Sequence, residues 1–115
     1  IMDAMLGALA LGDIGKLFPD NDPAYAGADS RMLLRRVNEI AKENGFTVSN
    51  VDATVIAQAP KLRPYIDSMR ETIASDLEIN PGQVSIKATT EEGLGFTGSG
   101  EGIASDAVCL LCRIK

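Results

Sequence analysis

Apolar residues recur along the chain with two different periods, and the changes of period mark helices and strands. Ile1, Met2, Met5, Leu6 and Leu9 return at the three- and four-residue spacing of one helix face, with Gly12 as a C-terminal stop. From Asp13 to Gly27 the pattern dissolves into a loop rich in Asp, Gly and Pro. Asp29 or Ser30 then caps a second helix, whose apolar positions Leu33, Val37, Ile40 and Ala41 share a face and which ends at Gly45. Between Phe46 and Gln58 the period drops to two, with Val51, Ala53, Val55 and Ala57 on one face of a strand and Asp52, Thr54, Ile56 and Gln58 on the other. Pro60 breaks that strand, and Pro64 suits the first turn of a third helix that turns Ile66, Met69, Ile73 and Leu77 inward. Asn80-Pro81-Gly82 is a turn, Val84 to Thr89 alternates as a second strand, and a glycine-rich loop follows. The last strand, Ile103 to Ile114, carries Val108, Leu110 and Ile114 on one side.

The order helix, helix, strand, helix, strand, strand predicts an α/β chain, more narrowly an α+β two-layer sandwich with helices on one face of a small mixed sheet. The second sheet face carries Ala, Val and Cys beside polar groups, so either a further strand or a subunit interface must cover it. At 115 residues the chain is a single domain, 1–115. Its first helical pattern starts at Ile1 with no cap and no initiator Met, which places the expected N-terminus upstream. Ile1-Met2-Asp3 has no basic n-region, so no secretory leader is expected there. Every apolar run falls short of the ~18 residues of a membrane span. The net charge of −5, with no basic patch interleaved with aromatics, argues against a nucleic-acid partner. An acidic protein that handles phosphates needs cations as mediators, so metal dependence is the default expectation.

Cys109 and Cys112 form a C-x-x-C inside the last strand, where residues three apart point to opposite faces, so the thiols are expected to diverge as small buried residues in a reducing compartment. Gly93-Leu94-Gly95-Phe96-Thr97-Gly98 spells the dinucleotide fingerprint, but a strand rather than a helix is expected after it. Asp20-Asn21-Asp22 opens like a calcium loop and lacks the glycine and distal Glu such a loop requires. Glu91 and Glu92 behind Thr89 and Thr90 suit a solvated helix start and equally suit a hard oxygen ligand beside a phosphate-holding hydroxyl. Gln58-Ala59-Pro60-Lys61 ends a strand, where sheet rims bind ligands. The chain has no histidine, so imidazole chemistry is outside its own residues.

Four separated segments carry a resemblance: D-A-M-L-G-A-L-A-L-G-D-I-G-K-L-F-P-D-N-D-P at 3–23, G-A-D-S at 27–30, N-V-D-A-T-V-I-A-Q-A-P-K at 50–61 and K-A-T-T-E-E-G-L-G-F-T-G at 87–98, extending to G-E-G-I-A at 100–104. In that order they resemble the 2-C-methyl-D-erythritol 2,4-cyclodiphosphate synthase family. The resemblance implies the C-terminal three quarters of the synthase fold, without its N-terminal strands, and a homotrimer with sheets packed around the axis and active sites between neighbouring subunits. It implies a cytoplasmic bacterial enzyme, or a plastid one after removal of a transit peptide. The activity implied is that of a cyclising phosphorus–oxygen lyase of non-mevalonate isoprenoid biosynthesis, which turns 4-diphosphocytidyl-2-C-methyl-D-erythritol 2-phosphate into the cyclic diphosphate plus CMP. By matched position, Glu92 resembles the carboxylate that binds Mg²⁺ or Mn²⁺, and Thr90 the threonine that stabilises the transition state, with Thr89 and Glu91 beside them. Asp13, Ile14 and Gly15 match the ribose contacts, and Phe18, Pro19, Asp20, Asn21 and Asp22 the loop at the methylerythritol phosphate end. Ala57, Gln58, Ala59, Pro60, Lys61, Leu62 and Arg63 match the cytosine pocket. Phe96 matches a residue at the trimer axis, beside a cavity for isoprenoid diphosphates. Ser99 stands where many members carry Arg, and Asp106 where many carry Glu. The family's Zn²⁺ ligands fall upstream of Ile1. Two rivals remain at this level: an inactive trimer that binds cytidine nucleotide, and a regulator that binds isoprenoid diphosphates.

Overall fold

The computed structural model describes all 115 residues. Helix α1 (Met2–Ala8) buries Met5 and Leu6, as the periodicity requires. It ends earlier than the Gly12 stop, because Ala10 already enters the left-handed region at φ 57°. Asp3 on α1 then accepts the Ile14 N–H at 2.9 Å, which anchors a one-turn helix α2 (Ile14–Leu17) within the segment expected to be a loop. Asp13 caps α2 by accepting from the Lys16 N–H at 2.9 Å, and Asp22 caps a 3₁₀ turn at Pro23–Tyr25. Elements this short have no apolar period to reveal them; their signal is the Asx cap alone.

Helix α3 (Ser30–Glu43) starts at an Asp29 cap and is followed by Gly45 at φ 87°, as expected. Its buried face is Leu34, Val37, Asn38, Ile40 and Ala41, so Leu34 and Asn38 add to the expected stripe while Leu33 lies at its margin. Strand β1 (Phe46–Ile56) stops two residues before the expected end. After a 3₁₀ turn at Arg63–Tyr65 that contains Pro64, helix α4 (Ile66–Leu77) crosses over to β2 (Val84–Thr89), and β3 (Ala104–Arg113) completes the sheet. A second helical turn, α5 (Gly95–Gly98), occupies the glycine-rich segment expected to be a loop.

The sheet order is β2-β1-β3, with β1 parallel to β2 and antiparallel to β3. The expected mixed sheet with helices on one face is therefore the one observed. β1 carries a bulge at Ser49, between the Val48–Leu111 and Asn50–Leu110 pairs. The extra residue lets Val48 and Val51 both face the helices, although an odd spacing would otherwise put them on opposite faces. At the bulge the Gln83 side chain donates to the Ser49 carbonyl at 2.8 Å.

The core lies between the sheet and α1, α3 and α4, with Met5, Leu6, Val37, Val48, Val51 and Leu77 closed to solvent. Two polar ties hold the helices. Arg31 on α3 donates to both carboxylate oxygens of buried Asp76 at 3.0 Å, and Arg35 approaches the same group at 3.2 Å. Asp76 was not legible as a core position; its fork with Arg31 satisfies the charge that burial would otherwise penalise. Arg70 on α4 donates to the carbonyls of Val84 at 2.8 Å and Pro81 at 2.9 Å, fixing the crossover helix to the start of β2.

Cys109 and Cys112 point to opposite faces as expected, but only Cys109 is half-buried; Cys112 is exposed rather than buried, because the face it occupies has no cover within this chain. Burial pushes the Cys109 thiol above its ordinary range, so it behaves as a small apolar residue.

Leu77 is fully closed to solvent at the meeting of α4 with the core. Leu77→Ala is expected to lower the unfolding free energy by about 2–5 kcal/mol, read from denaturant titration followed by far-UV circular dichroism. A loss under 1 kcal/mol would place the side chain outside the cooperative core.

Candidate functional site

Parallel pairing brings the C-terminal ends of β1 and β2 to one rim of the sheet, with Ile56 opposite Thr89. Beyond that pair the Ala57 N–H donates to the Thr89 carbonyl at 3.1 Å, which extends the ladder by one residue and aligns the two departing loops. Pro60 and Pro64 keep residues 57–65 from continuing as strand, and the chain turns over the rim before α4 begins. The result is a cavity of about 760 Å³. Its walls are the loop residues Ala57, Gln58, Pro60, Lys61, Leu62 and Arg63, the first turn of α4, and the end of β2 with Thr89 and Thr90.

This cavity gathers most of the residues assigned to the cytosine pocket and joins them to the two threonines. Ala59 is the one member of 57–63 that does not line it. Ile66, Asp67, Ile86, Lys87 and Ala88 line it too and were not foreseen. The β-strand register, once known, would have found Lys87 and Ala88, since they immediately precede Thr89. Ile66 and Asp67 follow from helix α4 starting directly after the 3₁₀ turn.

The charges on the walls are unequally engaged. Lys87 is held by Asp52 across the sheet, and Asp67 pairs with Arg70 at 3.2 Å. The Lys87 hydrogen bond keeps the Asp52 carboxyl below the usual carboxylate range, outweighing the opposite push of partial desolvation. Lys61 and Arg63 make no ion pair within the chain and leave their charge available to the cavity. Thr89 and Thr90 add exposed hydroxyls. An apolar floor with unpaired cations and hydroxyls above it suits a ligand with a flat ring and phosphate groups.

Immediately beyond Thr90 the backbone reverses. The Thr90 Oγ1 accepts from the Glu92 N–H at 3.2 Å, Glu92 takes φ 55° and Gly93 φ 82°. Glu91 and Glu92 therefore do not begin a helix, since the left-handed pair breaks the chain before α5. Gly98 of α5 lies so close that a Cβ there would come within 2.2 Å of the Gly93 carbonyl carbon; only glycine permits this fold-back. The Gly93 N–H donates to the Gln58 Oε1 at 3.3 Å, across the cavity mouth. Phe96 and Ser99 lie in and just after α5, outside the cavity lining.

A second cavity of about 320 Å³ is lined by Ile14, Gly15, Phe18, Pro19 and Asp20, together with Tyr25, Ala26, Gly27 and Leu33. It shares no residue with the first. Asn21 and Asp22 do not line it, and the Asp13 carboxylate is engaged in capping α2. Phe18 and Tyr25 pack edge to face at 4.9 Å and shape one wall. The chain thus brings the 57–63 and 89–90 residues together and keeps the 13–22 residues apart from them.

No group of three or more Cys, Asp or Glu side chains stands close enough to hold a metal ion. With no histidine and with the cysteines on opposite faces, the chain's own residues do not fit a zinc centre. A single exposed carboxylate such as Glu92 does fit Mg²⁺ or Mn²⁺, which are often held by one or two carboxylates plus the phosphates of a substrate.

Residues 1–112 match the profile of the YgbB family. A 2-C-methyl-D-erythritol 2,4-cyclodiphosphate synthase of Clostridium perfringens is 61% identical over 113 residues, covering 98% of this chain and 72% of that one. The synthase of Histophilus somni strain 2336 is 62% identical over 113 residues, with 98% and 70% covered. Among solved structures, the bifunctional IspDF of Campylobacter jejuni superposes with a TM-score of 0.94 at 41% identity, covering 98% of this chain and 31% of that one. The Plasmodium falciparum IspF CDP complex gives 0.86 at 34% identity, with 99% and 68% covered.

Because folding lowers the Asp52 pKa, the Asp52–Lys87 pair contributes stability that is complete above the ordinary carboxylate value of about 3.9 and drains away as pH falls through the lower folded value. Unfolding midpoints measured between pH 6 and pH 2.5 should therefore fall with acidity, and Asp52→Asn should flatten part of that slope. An identical acid slope in the variant would show that the pair contributes nothing.

Proposed function

The chain belongs to the YgbB family, and from that membership and the cavity at the β1–β2 rim we infer that it acts as a cyclising phosphorus–oxygen lyase of isoprenoid biosynthesis. The reaction converts 4-diphosphocytidyl-2-C-methyl-D-erythritol 2-phosphate to 2-C-methyl-D-erythritol 2,4-cyclodiphosphate. An oxygen of the 2-phosphate forms a bond to the β-phosphorus while the bond from that phosphorus to the CMP oxygen breaks, and CMP leaves with the electron pair. The observation that carries the reading is the union, in one cavity, of the 57–63 loop with Thr89 and Thr90.

The roles of individual residues extend the inference. The cytosine ring lies against Ala57, Pro60 and Leu62, with backbone groups of the loop reading its edge, as the apolar lining supports. Thr89 and Thr90 receive the diphosphate, and Thr90 donates to phosphoryl oxygens as charge builds on them. Glu91 is the solvated neighbour. Glu92 would hold Mg²⁺ or Mn²⁺, which when bound supplies positive charge to a diphosphate. The attacking and leaving oxygens both belong to anions that repel each other, so positioning and charge neutralisation dominate the barrier.

Asp13, Ile14 and Gly15 contact ribose, and the Phe18 to Asp22 loop takes the methylerythritol phosphate end, in a site completed by a neighbouring subunit. The separation of the two cavities within one chain supports that division. A homotrimer is further supported by the sheet face that no helix covers. On it Val108 and Leu110 stay 64% and 61% exposed, beside Ile114 and Cys112. An apolar strand face left in water is the mark of an interface. Phe96 is 57% exposed, and the apolar Leu94 and Ile103 are exposed too; in this reading Phe96 lies at the axis and would border an isoprenoid diphosphate.

Glu92→Gln is expected to cut turnover by ~100- to 1000-fold while cytidine nucleotide still binds, because the amide keeps size and one oxygen but loses the charge. Glu91→Gln is the internal control and should stay within a few-fold of wild type, as for most exposed side chains. Both are read from CMP release in the full-length protein; equal losses at the two positions would move the metal off Glu92. Sedimentation equilibrium should give a mass of three subunits, and a stable monomer would remove the neighbour's contribution to the site.

A further inference from the structure

Gln58 lines the cavity and is assigned above to the loop that surrounds the base, yet its side chain is committed elsewhere. Its Oε1 accepts the Gly93 N–H at 3.3 Å, from a turn 35 residues further along the chain. We infer that Gln58 is a positioning residue that fixes the Glu92 turn to the base-pocket loop, so that the carboxylate and the base wall form one rigid unit.

The geometry around this bond leaves the turn few other ties to the cavity wall. On one side of it the Ala57 N–H reaches the Thr89 carbonyl at 3.1 Å, holding the strand ends together. On the other side the Thr90 hydroxyl accepts from Glu92, a bond within the turn itself. Between Thr90 and α5, Gln58 supplies the side-chain bond that crosses from the turn to the opposite loop. Glu92 and Gly93 both occupy the left-handed region, which an unsupported Glu abandons readily. Gly98 closes against Gly93 from behind, so the turn has a fixed back and, through Gln58, a fixed front. An amide that instead read the cytosine edge would leave the Gly93 N–H without this partner.

The inference rests on the role proposed for Glu92, and its test separates the two. Gln58→Met keeps the length of the side chain and removes the acceptor; Gln58→Glu keeps an acceptor oxygen at the same reach. In metal-free protein, the Gly93 amide should exchange hydrogen about fivefold faster in Gln58→Met, the factor of one lost hydrogen bond, and return toward wild type in Gln58→Glu. Mn²⁺ affinity in the presence of CDP, followed by the electron paramagnetic resonance of free Mn²⁺, should weaken roughly 10- to 100-fold in Gln58→Met, as when a partner that orients a ligand is removed. CDP affinity without metal is measured on the same variants, and a positioning role requires the loss of Mn²⁺ affinity in Gln58→Met to exceed any loss of CDP affinity. Unchanged Gly93 exchange would overturn the inference. So would a loss of metal-free CDP affinity with Mn²⁺ binding intact, which would make Gln58 a base contact, or a loss of protection throughout 57–63 and β2, which would make it merely structural. If Glu92→Gln binds Mn²⁺ as wild type does, the metal role of Glu92 fails, while the exchange behaviour of Gly93 still decides the role of Gln58.

Discussion

The parallel pairing of β1 and β2 is the constraint on which the rest depends. Parallel strands cannot be joined by a tight turn, so the chain must leave the rim, cross the sheet as α4 and re-enter at the far end. That path buries Ala74 and Leu77 beneath the sheet, and it sends both strands toward the same rim with both C-termini free to diverge. A cavity at that rim follows from topology before any side chain is considered. The side chains then decide what it accepts: prolines turn the first loop away, small residues at Ala57 and Ala88 leave room, and unpaired Lys61 and Arg63 give it a positive field.

Where the sequence showed the fold, it did so through long apolar periods. The three long helical patterns and all three strands lie where periodicity placed them, with errors of one to three residues at the ends that reflect local competition. Ala10 adopts a left-handed conformation and ends α1 ahead of Gly12; β1 gives way at Ile56 because Ala57 is already needed for the loop. What stayed hidden depends on contacts between distant segments. Asp76 is buried because two arginines from another helix reach it. Asn38 is buried because its amide donates to the Leu77 carbonyl at 3.3 Å. Neither fact has a local signature.

The site was legible to a similar extent and for similar reasons. Gln58 to Lys61 stood out as a strand end with a breaker and Thr89–Thr90 as hydroxyls before a glycine-rich loop, while resemblance widened the first set to 57–63; all of these except Ala59 line one cavity. Asp67 and Lys87 did not stand out, since a charged residue in a first turn or on a strand reads equally well as solvated surface. The assignment of 13–22 to the same ligand came from resemblance alone. Within one chain these residues form a separate hollow that shares no lining residue with the first.

The bulge at Ser49 acts as a phase shifter in the central strand. The residues before it and those after it point their side chains with opposite parity, and the Gln83 amide on the neighbouring segment locks the joint in place. Everything downstream inherits the setting: which residues of β1 meet the helices, which face away from them, and on which side Ala57 leaves the sheet. Residues along β1 can therefore be exchanged with some freedom, and the joint is the one place where the strand can change length and keep its faces. Loss of the extra residue there would leave Val48 and Val51 two positions apart and still on one face, opposite Leu111, Leu110 and Cys109 in unbroken succession, whereas loss of a residue elsewhere in the strand would turn everything beyond it to the wrong face.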